Sequence, residues 1–142
     1  VEKAIEYEKK KKQTINITYG DMTKLNFEDN TFDFVYSYNS IFHMKKTDIR
    51  TAISEMKRVL RPGGLMFVNF LSVDDSRCGE GPHLGDNQYE QMDDEPVIHS
   101  YFDYNEAEDY FGDCEFVLKE QRIIEKIYKD QRIKQGFIDY IS

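Results

Sequence analysis

Two hydrophobic periods alternate along the chain. Residues 2–12 set Ala4 and Ile5 among Glu and Lys, good helix formers, and predict a helix. Thr14 to Tyr19 then alternates and is β-branched, which predicts a strand broken by Gly20-Asp21. A polar stretch leads to Phe32-Asp33-Phe34-Val35-Tyr36-Ser37-Tyr38, a second strand. Beyond it, Thr47 stands at an N-cap position, and Ile49, Ala52, Ile53, Met56, Val59 and Leu60 follow at the three- and four-residue spacing of one buried helix face. Arg61-Pro62-Gly63-Gly64 stops that helix, because Pro cannot continue it and Gly tolerates a left-handed exit.

Leu65 to Leu71 is a near-continuous apolar run, as expected of a central parallel strand covered on both faces. Strand, helix and strand in this order form a βαβ unit, whose right-handed crossover makes the two strands parallel; the class is α/β. From Ser72 to about His99 regularity is lost, with Gly79, Gly81, Pro82, Gly85 and Pro96 among acidic residues, and a long loop is expected. Asp103-Tyr104-Asn105-Glu106 matches a capping box opening a short helix to about Phe111. Phe116 to Tyr128 and Ile133 to Ile141 read as two antiparallel strands joined near Asp130-Gln131.

A length of 142 residues, 39% of them hydrophobic, suits one domain with a real core. No apolar run approaches the roughly 20 residues that cross a bilayer, so a cytoplasmic protein is expected, without a membrane partner. Cys78 and Cys114 fit neither a disulfide scaffold nor a zinc knuckle. The net charge of −8 repels phosphate backbones and argues against nucleic acid; the run Lys9 to Lys12 reads as a solvated helix end. Cys78, His83, Asp86 and His99 share no metal-ligand spacing, and no metal is expected. Val1 opens the sequence inside a helical pattern with no N-cap of its own, and a preceding segment is expected.

Four stretches in order carry a resemblance. Gly20-Asp21-Met22 with Leu25 and Phe27, Asp29-Asn30-Thr31-Phe32-Asp33, Ser37 to Met44, and Met56 to Gly64 are together similar to the small-molecule branch of the class I, S-adenosylmethionine-dependent methyltransferases. The likeness is specific across residues 14–71 and one of element order beyond. It implies a Rossmann-like sheet, mostly parallel with an antiparallel carboxy-terminal hairpin, and one partial domain over residues 1–142 with an insertion at about 72–102. It implies methyl transfer from S-adenosylmethionine to a small-molecule acceptor. It gives the adenine amino group to Asp21, the ring to Met22, the amino-acid end of the cofactor to Tyr38 and Asn39, and a place near the sulfonium or acceptor to His43. No catalytic residue is assigned, since alignment in a closed, dry pocket supplies most of the acceleration.

The acceptor site is expected in the 72–102 segment, with Tyr89, Met92, Tyr101 and Phe102 closing over an apolar or aromatic substrate. The departure from the family is the absence of its glycine-rich first turn and of the acidic residue that holds the ribose. The first two strands of the family's sheet, which lie between those expected at Thr14–Tyr19 and Phe32–Tyr38, are missing. These residues alone are expected to pair abnormally, borrow strands from another copy as a homo-oligomer, or belong to a longer protein, and to bind S-adenosylmethionine weakly or not at all. Two other readings stay open: a nucleotide-cofactor dehydrogenase-like domain, and a non-catalytic truncated fold acting as an interaction module.

Overall fold

The computed structural model describes residues 2–11, 16–128 and 130–142. Its elements are α1 (Glu2–Lys11), β1 (Phe32–Ser37), α2 (Lys46–Val59), β2 (Leu60–Ser72), β3 (His83–Gly85), β4 (Gln88–Met92), β5 (Pro96–Phe102), α3 (Glu108–Phe111), β6 (Leu118–Tyr128) and β7 (Gln131–Ile141). All seven strands form one mixed sheet, in the order β3-β4-β5-β2-β7-β6, with β1 also on β2. The pairs β1–β2 and β2–β5 are parallel; β2–β7, β3–β4, β4–β5 and β6–β7 are antiparallel. The expected α/β class and the antiparallel tail hairpin are present.

β2 is the axis of the sheet because it is the most apolar strand, with Val68, Asn69, Phe70, Leu71 and Ser72 all buried. One edge takes β7 along Phe67–Leu71, so the other must serve two neighbours: β1 pairs with it as far as Val68, and β5 at Leu71 and Ser72. α2 covers one face of the sheet with Ile49, Ala52, Ile53, Met56 and Val59, each large side chain contributing roughly 1.5–3 kcal/mol by leaving water. Phe70 sits at the middle of that core, its ring 4.7 Å from Phe102, 5.6 Å from Tyr140 and 6.3 Å from Phe111.

Several sequence expectations are corrected. The strand expected at Thr14–Tyr19 is not there: residues 16–20 carry no regular structure, and Thr14 and Ile15 lie outside the described residues. β-propensity cannot hold a strand that has no neighbour to take its backbone N–H and C=O groups, and no described strand runs beside residues 16–20. The N-cap of α2 is Lys45, whose carbonyl accepts from Asp48 and Ile49, while Thr47 lies in the first turn. The last carbonyls of α2 accept instead from the incoming chain, Asn30 N–H on Arg58 and Thr31 N–H on Val59.

β2 begins at Leu60, not Leu65, because Arg61–Gly64 bulges out of the pairing with β1 while the strand continues. Gly64 is required there: a Cβ would stand 2.9 Å from the carbonyl oxygen of Asp33. The 72–102 loop contains β3, β4 and β5, a small antiparallel sheet joined to the main one through β5. Half of the capping box forms, with the Glu106 carboxylate accepting from Asp103 N–H at 3.1 Å, but the helix starts only at Glu108. Among the described residues no helix is long and apolar enough to cross a membrane.

Candidate functional site

In open α/β sheets the place for a ligand is outside the carboxyl ends of parallel strands, where successive connections diverge. β1, β2 and β5 run parallel here, and a cavity of about 220 Å³ opens beyond the carboxyl ends of β1 and β2, with β5 flanking it. Asn39, Phe42 and His43 line it from the loop after β1, Leu71, Asp75 and Arg77 from the exit of β2, and Asp93, His99 and Tyr101 from the insert. The amino-terminal half of β7, antiparallel and therefore at the same end, closes the far side with Ile133, Gln135 and Phe137.

The loop after β1 is held in two places. Asn39 takes a left-handed conformation, φ 49°, and is fixed by a reciprocal pair with the fully buried Asn69 of β2: Asn39 N–H donates to Asn69 Oδ1 at 2.7 Å, and Asn69 Nδ2 donates to Asn39 Oδ1 at 2.9 Å. Further on, Ser100 of β5 grips both sides of His43, its N–H donating to the Phe42 carbonyl at 2.9 Å and its hydroxyl to the Met44 carbonyl at 2.7 Å. That grip brings the His43 ring edge-on to His99, with centroids 4.6 Å apart and planes at 83°.

His99 is buried, with Nδ1 3.4 Å from the Val97 carbonyl and Nε2 3.6 Å from Asp93 Oδ2. Arg77 Nη1 holds the other oxygen of Asp93 at 3.0 Å, and the Arg77 carbonyl accepts from the buried Gln91 amide at 2.7 Å, while Gln91 Oε1 accepts from the Tyr101 hydroxyl at 3.0 Å. The buried Asp75 accepts from Arg77 N–H and Gly136 N–H, joining the exit of β2 to β7. Loss of hydration lowers the pKa of both imidazoles; for His43 the neighbouring His99 lowers it further, against a smaller opposing pull from Asp93. Burial raises the Tyr101 phenol well above its usual range.

Of the residues singled out in the sequence, Asn39 and His43 come together in this cavity; Asp21, Met22 and Tyr38 are not among those lining it. Asp21 sits on an exposed turn, bridged to Lys24, with Oδ1 accepting from the Thr23 N–H at 2.8 Å and hydroxyl at 2.7 Å; those bonds lower its pKa. Its second oxygen has no hydrogen-bond partner among the described residues. Met22 packs against the core under α2. Tyr38 is half-exposed and stacks with Tyr36 at 6.0 Å between centroids. Of the insert aromatics, Tyr101 reaches the cavity, Phe102 is buried in the core, and Met92 is exposed. Sequence reasoning missed His99, Asp93 and Arg77 as a group, since their meeting with His43 depends on a strand pairing that spacing does not reveal.

Comparison with known proteins gives this geometry a context. A family model described as a methyltransferase domain matches residues 1–68. An O-methyltransferase, cnsE, of Penicillium expansum is 32% identical over 84 residues, 59% of this chain and 29% of its own length. Among solved structures, the PH0226 protein of Pyrococcus horikoshii OT3 superposes with a TM-score of 0.68 at 23% identity, over 98% of this chain and 65% of that one. A SAM-dependent methyltransferase of Methanosarcina mazei gives 0.64 at 20% identity, over 86% and 63%. The chain thus spans under a third of the first of these and about two thirds of the solved structures.

Proposed function

We propose that this chain is of the class I, S-adenosylmethionine-dependent methyltransferase type and that the protein transfers a methyl group to a small-molecule acceptor bound in the cavity beyond the carboxyl ends of β1 and β2. The observation that carries this reading is a cavity at the carboxyl ends of the adjacent parallel strands β1 and β2, lined by polar and apolar side chains together, within a fold shared with methyltransferases. The O-methyltransferase relative adds support.

The donor set fits one end of the cofactor. Asp21 has a carboxylate oxygen with no partner among the described residues, able to accept from the adenine amino group, and Met22 beside it supplies an apolar, polarizable surface. Asn39, held by Asn69, presents the turn on which the amino-acid end would rest, with Tyr38 before it and His43 after it. When bound, S-adenosylmethionine supplies a methyl group on a positively charged sulfur. This chain's own residues then shape and dry the acceptor cavity and hold the acceptor in line, which is most of what such a displacement needs.

The whole of residues 1–142 is read as one partial domain, with residues 72–102 inserted to build the acceptor wall, working in the cytoplasm. Among the described residues no strand pairs with the outer edge of β1, where earlier strands of the same protein or a second copy would pair. Titration calorimetry should give no better than weak S-adenosylmethionine binding for residues 1–142 and tight binding for a protein that includes a glycine-rich turn. A screen of the intact protein with radiolabelled donor against a metabolite extract should label a small molecule; failure to label any acceptor, with the donor bound, would overturn the reading.

A further inference from the structure

The sheet ends on one side at β6, and among the described residues no strand pairs with its outer edge. β1 lies on β2, across β7 from it, so this edge is separate from the one at β1. Which backbone groups point out of it follows from its neighbour. Met66 and Ser142, just past β7, exchange N–H···O bonds of 2.8 and 3.0 Å; Gly136 N–H donates to Asp75, and the Lys134 carbonyl accepts from Ser76. The even-numbered residues of β7 therefore bond towards β2 and the odd-numbered ones towards β6. Phe137 stands opposite Arg122 and Gln135 opposite Ile124, so β6 directs its even-numbered N–H and C=O groups to β7. Those of Lys119, Gln121, Ile123, Glu125 and Ile127 are left on the rim.

Sheet edges are commonly blunted by Pro, by a bulge, by brevity or by charge. β6 has 11 residues, no Pro and an unbroken register with β7 from Leu118 to Tyr128, and Ile123, Ile124 and Ile127 are exposed along it. Of its charges, Lys119 and Arg122 turn back onto Glu108 and Asp139 of their own molecule, while Glu120 and Lys126 are exposed. Those charges guard the edge against an arbitrary strand but not against itself. About a two-fold axis at Ile123, the midpoint of the strand, Glu120 faces Lys126, Gln121 faces Glu125, Arg122 faces Ile124 and Ile123 faces its own copy, rim residue always against rim residue. One step either way spoils the match, setting Arg122 against Arg122 or against Lys126. We propose that two copies of this chain pair antiparallel, β6 to β6, in this register, joining their sheets into one.

Five rim residues on each strand give about ten main-chain hydrogen bonds across the axis. The pairing also reaches the cavity. β2 pairs with β7 along Phe137–Leu71 to Ile141–Phe67, so the half of the β6–β7 hairpin nearer its turn extends past that support, fastened there by Asp75 and Ser76. This half carries Ile133 and Gln135 to the cavity wall. In the dimer, residues 124–128 of one protomer lie along residues 118–122 of its partner, so the rooted half of each hairpin backs the projecting half of the other. The interface rests on observations separate from the methyl-transfer reading and holds whatever the cavity binds.

Sedimentation equilibrium of the intact protein should show a dimer with a dissociation constant on the order of 10 μM. Lys126→Glu sets like charges opposite Glu120 on both sides of the axis and should weaken the dimer by at least about ten-fold, while Glu120→Lys combined with Lys126→Glu should restore it. Ile123→Pro removes a rim N–H and none that bonds to β7, and should give a folded monomer. In a Cys78→Ser, Cys114→Ser background, Ile123→Cys should oxidise to a linked dimer, since facing residues in such a pair stand about 5.5 Å apart at Cα; Ile124→Cys, which faces Arg122, should not. Amide exchange in residues 124–128 should slow as protein concentration rises through the dissociation constant. A monomer at about ten times that concentration, a dimer that keeps its affinity in Lys126→Glu, or equal cross-linking at positions 123 and 124 would each overturn the proposal. So would a dimer held by the edge of β1, which these substitutions leave intact. If Ile123→Pro does not fold, the exchange of charge between Glu120 and Lys126, both exposed, decides the matter.

Discussion

The chain before Phe32 and the chain after it obey different rules. After Phe32 almost every segment has a strand or helix beside it, and the fully buried side chains, Phe70, Tyr101, Tyr140 and Phe111 among them, belong to that part. Before it, α1 buries no residue and residues 16–20 form no element. Much of what fastens the earlier part centres on α2: Arg58 donates to the carbonyls of Leu25 and Phe27 and to Asp29, its partner Glu55 accepts from Leu25 N–H, and Asn30 and Thr31 donate to the carbonyls of Arg58 and Val59. The lesson is that local preference was similar on the two sides of Phe32, and the presence of a neighbouring strand separated them.

The hardest way to break this contrast is at the core. Phe70→Ala should cost about 3–5 kcal/mol in urea unfolding, whereas Tyr7→Ala, on an exposed face of α1, should stay within about 0.5 kcal/mol. A smaller effect should show whether the insert belongs to the rigid side. Gly81 has φ +83°, and a Cβ there would lie 2.2 Å from the Glu90 carbonyl oxygen, so Gly81→Ala should cost more than about 1 kcal/mol and speed amide exchange in β4 before β2.

At the boundary itself, Arg58→Ala should make cleavage within residues 16–31 several-fold faster in limited proteolysis, with β2 and β7 still resistant. The mildest change is acid. Hydrogen bonds from Arg58 and from Leu25 N–H hold the Glu55 carboxyl down at about 2 from an ordinary 4.5. The folded form therefore binds a proton less readily than the unfolded one, so this contribution is complete above pH 4.5 and fades as pH falls towards 2. Faster exchange of the Leu25 amide in that window, absent from Glu55→Gln, would confirm it.

How far the sequence could be read follows the same division. α2 was legible because its apolar stripe is local, and the tail hairpin because its two runs face each other across a short turn. The strand at Thr14–Tyr19 was over-read, since alternation states only what a segment would do beside a partner. The insert was under-read for the opposite reason: β3 and β4 are short and polar, and what orders them is Gln91 and Tyr101 bonding inside, which no period announces. The same holds for the candidate site. Asn39 and His43 were visible from the likeness of their loop, but His99, Asp93 and Arg77 became partners only when β5 came alongside β2.

The pairing of Asn39 with Asn69 divides the cavity into two jaws of unequal freedom. One jaw is bolted to the central strand of the sheet, so a substitution that shifts it must also disturb the heart of the domain. The opposite jaw belongs to the insert, where Leu84 and Met92 are exposed near the two ends of β4. On the proposed function, relatives built on this plan would be free to exchange that outer jaw and take up new acceptors while the inner one stayed as it was.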